Sequence, residues 1–123
     1  MLMGNTISGT CSSSIAIGAG GTLQAPTSYL NTGAVTAASS ASILSVVGHS
    51  GGAACGRIVS SGAVALNGMT VNFDAPSGLS AGVYVVMTAT SFTGTATVGA
   101  SPSGGGTFTT LTVVGTQLRA TIA

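Results

Sequence analysis

The dipeptide Asn67-Gly68 lies between two runs of alternating apolar residues, and it constrains the fold more than any other feature of the chain. A type I′ turn needs positive φ at both central positions, which Asn tolerates and Gly adopts freely. Before the dipeptide, Val64 and Leu66 alternate with Ala63 and Ala65. After it, Met69, Val71 and Phe73 alternate with Thr70 and Asn72. Period-two alternation on both sides of Asn-Gly predicts a tight β-hairpin within SGAVALNGMTVNF. A second unit, TLTVVGTQLRATI, comes at the end of the sequence, with Gly115-Thr116 suited to a type II′ turn.

The rest of the chain reads the same way. Ser14 to Ile17 is strand-like, Gly18 to Gly21 breaks it, and Thr22-Leu23-Gln24 ends at Ala25-Pro26, because proline cannot donate to a ladder. Ile43 to Val47 is a short β-branched strand. It runs into the loop GHSGGAACG, which carries His49 and Cys55, before Arg57-Ile58-Val59. Gly82 to Met87 is the most apolar run and suits a sheet buried on both sides. Strand signals at roughly 8–12-residue spacing predict an all-β fold. The arrangements open to it are a small β-sandwich or barrel, or a short β-solenoid-like module of antiparallel hairpins with Gly/Ser-rich loops. The length suits a single domain over 1–123, with 1–42 as a loosely structured N-terminal lead-in or arm and 43–123 as the β core. No strict repeat period is visible, which argues against a regular solenoid throughout.

Charge bounds the function. Asp74 is the one side-chain carboxylate, Arg57 and Arg119 are the two strong bases, and charged residues make up 2% of the chain. Soluble monomers normally carry charge on about a quarter to a third of their surface. A chain this neutral is expected to be covered by copies of itself or by a partner. Disorder is excluded from the other side, because 45% of the residues are hydrophobic. No run approaches the roughly 18 apolar residues of a membrane-spanning helix, so membrane insertion is not expected. Met1-Leu2-Met3 leads directly into Gly4-Asn5-Thr6, without the basic and apolar regions of a signal peptide.

Catalytic and ligand-binding classes find little to work with. One carboxylate excludes paired-acid chemistry within one chain. Cys11, His49, Cys55 and Asp74 have no metal-site spacing, and neither a metal nor a cofactor is expected. His49, Asp74 and a serine lack a nucleophile-elbow motif, so no catalytic residue is assigned. The glycine-rich stretches at 18–21, 48–52 and 104–106 lack a P-loop lysine. Two arginines cannot track a phosphate backbone, which argues against nucleic acid. Arg57 and Arg119 suit a subunit contact or an ion pair with Asp74. Cys11 and Cys55, with 43 residues between them, are either a disulfide or two small buried thiols. The disulfide would stabilise by about 4 kcal/mol in the chain-entropy treatment.

Leu66, Gly68, Gly78-Leu79, Gly82, Tyr84, Phe108, Leu111, Gly115 and Leu118 follow a spaced pattern of glycines and apolar residues. On these residues the second half of the chain resembles the C-terminal end of autotransporter passenger and autotransporter-associated repeat proteins, where such a pattern closes a right-handed β-helix. The resemblance implies a secreted or surface-exposed structural β-module and brings no catalytic residue with it.

Together these features predict a non-enzymatic structural protein of a multimeric assembly. A virion component of the capsid decoration, cement or spike type is expected first, trimeric or of higher order and bound to a larger protein shell. An extracellular, self-assembling surface or filament protein related to passenger modules is the alternative. Thr-x-Thr pairs at Thr88/Thr90, Thr93/Thr95/Thr97, Thr107/Thr109 and Thr110/Thr112 raise a third reading, an ice- or glycan-binding β module.

Overall fold

The computed structural model describes residues 6–7, 14–25, 29–48 and 55–123. Along them run β1 (Thr6–Ile7), β2 (Ile15–Ile17), β3 (Thr22–Ala25), β4 (Tyr29–Thr32), β5 (Val35–Ala37), β6 (Ile43–Val47) and β7 (Arg57–Ser60). They are followed by β8 (Ala63–Ala65), β9 (Thr70–Asp74), β10 (Gly82–Thr88), β11 (Ser91–Thr93), β12 (Thr97–Val98), β13 (Phe108–Val114) and β14 (Gln117–Ile122). No helix occurs among the described residues. Three sheets form, ordered β2-β5-β8-β11, β1-β3-β6-β9-β12 and β4-β7-β10-β14-β13. Each turn of chain thus lays one strand on each of three faces, and the next turn stacks on it in parallel. The all-β fold is a β-solenoid, and among the described strands only β10, β14 and β13 pair antiparallel.

The core is a set of stacked columns. On the first face Ile15 pairs with Val35, Val35 with Val64 and Val64 with Phe92. On the second, Leu23, Leu44, Val71 and Val98 follow one another. On the third, Leu30, Ile58 and Met87 do so. Short strands in which buried and half-buried residues alternate turn every second side chain inward, where most of these residues are buried. Each buried Leu, Ile or Val contributes about 1.5–3 kcal/mol. β10 departs from alternation: a bulge between Val85 and Met87 turns both Val86 and Met87 into the core.

Two expectations change here. The turn at Asn67-Gly68 forms as read, with φ of 47° and 82° and a Met69 N–H bond to the Leu66 carbonyl at 2.8 Å. It does not close a hairpin. β8 lies on the first face and β9 on the second, so the turn is a corner of the solenoid with Leu66 and Met69 both buried. Within residues 1–42, expected as a loosely structured lead-in, β1 to β5 join the same three sheets as the rest, and Ile15, Ile17, Leu23, Leu30 and Val35 enter the core. The terminal hairpin at Gly115, where φ is 60°, is present between β13 and β14.

The corners between the first and second faces are joined from turn to turn. Ser42, fully buried, donates from Oγ to the Ile17 carbonyl at 2.7 Å and accepts from the Ala38 N–H at 3.1 Å. Asn67 donates from Nδ2 to the Ala37 carbonyl at 2.7 Å. Thr70 and Thr97 donate from Oγ1 to the carbonyls of Ser40 and Gly68, at 2.7 and 2.9 Å. These bonds fasten each corner to carbonyls of the turn before it; that of Ile17 also accepts the Ala38 N–H at 3.0 Å.

Candidate functional site

Stacking in register brings both arginines onto the outer side of the third face. Tyr29 on β4 pairs with Arg57 on β7, and Arg119 on β14 pairs with Val85 on one side and Thr112 on the other. The Arg57 Nε donates to the Val85 carbonyl at 3.3 Å, which completes one row across five strands: Tyr29, Arg57, Val85, Arg119, Thr112. The two arginine-bearing strands are separated by one strand, about 10 Å at ordinary sheet spacing.

Both guanidiniums are held. Arg57 lies over the Tyr29 ring, 5.0 Å from its centroid, a cation–π contact of about 0.5–1 kcal/mol at an exposed site. Arg119 donates from Nε to the Gln117 side-chain carbonyl at 2.8 Å. The terminal NH2 groups of both have no partner among the described residues. Around the row stand exposed apolar side chains: Tyr29 at 56%, Val83 at 62% and Val114 at 46%. The face therefore presents both strong bases of the chain on a largely uncharged, partly apolar plane.

Asp74 is elsewhere. It ends β9 on the second face, exposed, and forms no ion pair with Arg57 or Arg119, so the ion-pair expectation gives way to two separate arginine contacts on the third face. Cys55 is half-buried and carries a free thiol beside β7. Its antiparallel bridge to Gly48, with the Gly56 N–H bond to the Val47 carbonyl at 2.8 Å, pairs the chain on either side of residues 49–54. Burial pushes the thiol up to about 11, against the pull of the Arg57 charge. A nucleophilic cysteine needs the opposite shift, so Cys55 is protonated and inert at neutral pH. Cys11, its candidate disulfide partner, and His49 lie outside the described residues.

No group of three or more His, Cys, Asp or Glu comes together among the described residues. A cleft of about 250 Å3 lies between Ser77–Ser80 and Gly104–Gly106. Its walls are two loops in backbone contact: the Leu79 N–H donates to the Gly105 carbonyl at 3.1 Å and the Gly104 N–H to the Ala75 carbonyl at 3.1 Å. A Cβ on Gly104 would collide with the Pro76 carbonyl, so glycine is required there. The cleft has no titratable lining residue.

The threonine pairs do not make one array. Thr88 lies on the third face, Thr93 on the first, Thr97 on the second, and Thr110 and Thr112 on β13. Thr97 spends its hydroxyl on a corner carbonyl. Sequence reasoning singled out Arg57 and Arg119 but missed Tyr29, Val83 and Val85, because only the register between strands 28 residues apart places them beside the arginines. No family model, curated protein or solved structure matches the chain. No helix of the described residues is long and apolar enough to cross a membrane.

Proposed function

We propose that this chain is a non-enzymatic structural protein of a multimeric assembly, a virion component of the decoration, cement or spike type, which meets a larger shell through the outer side of its third face. The observation that carries the reading is the arginine row: both strong bases on one plane, held by Tyr29, Val85 and Gln117, beside exposed valines and with the single carboxylate on another face. Interfaces favour this mixture, since Arg and Tyr are enriched among the residues that anchor them. Pre-positioned guanidinium forks suit carboxylates on the partner, which they bind bidentately.

A second reading is favoured by the parallel stack itself. A solenoid whose turns add along one axis suits an extracellular, self-assembling surface or filament protein related to passenger modules. Solution mass by light scattering coupled to size exclusion, at two well-separated concentrations, tests both. A fixed multi-chain mass is expected of a decoration or spike component, and growth to polymer of a filament. A sharp single-chain mass at both concentrations overturns the multimeric reading.

A further inference from the structure

Four asparagines occur in the chain, at 5, 31, 67 and 72, and Asn67 alone is followed by glycine. An asparagine side chain loses ammonia when the next backbone nitrogen attacks its amide carbon. Glycine in that next position has no Cβ to hinder the attack. Asn67 is exposed, so water reaches the amide. Burial does not guard it. Hydrogen bonds on both sides of the corner do.

Each reacting group is engaged by a different turn of the stack. The leaving nitrogen, Asn67 Nδ2, donates to the Ala37 carbonyl of the turn before at 2.7 Å. The attacking nitrogen, that of Gly68, donates its proton to the Thr95 carbonyl of the turn after, also at 2.7 Å. Thr97 adds two bonds from that later turn: its Oγ1 donates to the Gly68 carbonyl at 2.9 Å, and its N–H to the Met69 carbonyl at 2.8 Å. Gly94 packs over the corner, where a Cβ would come within 3.1 Å of the Asn67 backbone nitrogen. Attack requires both groups to leave these carbonyls and reach reacting geometry. The later turn is the weaker cover. Its strands β11 and β12 are the outermost of their sheets and have three and two residues. Short, exposed elements open locally at less cost than the core.

We propose that Asn67 is a self-modification site, silent while residues 93–97 cover it and deamidated through Gly68 when that turn opens. In the step, the Gly68 nitrogen gives up its proton to solvent base and bonds to Asn67 Cγ. The Cγ–Nδ2 bond breaks, and Nδ2 takes up a proton from solvent and leaves as ammonia. Water then opens the cyclic imide at either carbonyl, giving aspartate or isoaspartate. One water is consumed and one ammonia released, with no oxidation or reduction. The product cannot restore the corner. A carboxylate has no proton to donate to the Ala37 carbonyl, and isoaspartate adds a carbon to the backbone between Leu66 and Met69. The new negative charge also takes the formal net charge from +1 to zero, the condition that favours association. The site is independent of the assembly reading above.

The full chain is aged in mildly alkaline buffer, folded and in urea above its unfolding midpoint. Peptide mapping locates aspartate and isoaspartate, and isoelectric focusing follows the charge. Because the chemistry is slow beside reclosing, the folded rate tracks the population of the open turn. Unfolded chain is expected to convert at residue 67 about 100-fold faster than folded chain, or more. Thr97→Val removes one bond of the cover, touches neither reacting group, and should raise the folded rate about fivefold. Thr109→Val removes a comparable bond, to the Thr121 carbonyl at 3.2 Å, and should leave the folded rate unchanged. Similar rates in folded and unfolded chain overturn the protection. A folded rate unmoved by Thr97→Val, or raised equally by Thr109→Val, overturns the gating by residues 93–97. Faster conversion of the unfolded chain at Asn5, Asn31 or Asn72 overturns the site itself. If Thr97→Val fails to fold, the folded and unfolded wild type still decide the protection.

Discussion

The side-chain amide of Asn67 donates to the carbonyl of Ala37, 2.7 Å away and 30 residues earlier in the chain. The same residue holds φ at 47°, so one side chain both shapes its own corner and fastens it to the turn beneath. Removing the two roles separately measures each. Asn67→Gly keeps the left-handed backbone and loses the hydrogen bond, at a cost of about 1 kcal/mol. Asn67→Ala loses both and should cost about 2–3 kcal/mol, since a Cβ in that region adds roughly 1–2 kcal/mol. Thermal or urea unfolding should rank wild type above Asn67→Gly above Asn67→Ala.

Ser42 carries the corner one turn earlier. Its hydroxyl is fully buried and bonds Ile17 and Ala38. Ser42→Ala removes these bonds but leaves the Ile17 carbonyl and the Ala38 N–H paired with each other at 3.0 Å, so it should cost about 0.5–1.5 kcal/mol. Ser40→Ala, two residues away on the surface, should stay within about 0.5 kcal/mol. Equal midpoints in urea for the two variants would contradict this account of the corner.

The inward columns make a register prediction. Leu44 is fully buried between Leu23 and Val71, while its neighbour Ile43 faces outward between Thr22 and Thr70. Leu44→Ala should cost about 2–5 kcal/mol. Ile43→Ala should cost about 1 kcal/mol or less. A slip of one residue in β6 would exchange the two values. Equilibrium unfolding of both variants reads the register directly.

Cys55 makes a pH prediction. Its thiol is raised from 9.0 to about 11 in the folded chain, first by burial. The folded state therefore holds its proton more tightly than the unfolded state does. The stabilisation is fully present below pH 9 and is lost as pH rises through 11. Tyr84, raised by burial and by the nearby Cys55, adds in the same direction. In a Cys11→Ser background, thiol labelling should be slow at pH 8 and should accelerate steeply on approaching pH 11. Fast labelling at pH 8 in the folded state would contradict the burial of this thiol. Arg57→Ala removes the one opposing charge and should slow labelling further.

The sequence by itself determined the class of fold and the local geometry of its turns. Alternating apolar residues in 63–73, the β-branched run at Ile43 to Val47, and glycines at Gly68 and Gly115 specify strands and left-handed corners through short-range sterics alone. The scarcity of charge was equally plain in the sequence, with one side-chain carboxylate and two arginines. Only the tertiary structure decided where each strand pairs. The turn at Asn67-Gly68 has the same φ values in a hairpin as in a solenoid corner, so nothing local distinguishes the two. The repeat was equally hidden. Successive column members are 20, 29 and 28 residues apart on the first face and 21, 27 and 27 on the second. The number of residues between consecutive strands varies, three from β3 to β4 and seven from β9 to β10, and this absorbs the difference at little cost in closure entropy. What stacks the turns is burial of the inward columns, a long-range term. The arginine row exists only after that stacking has set the register.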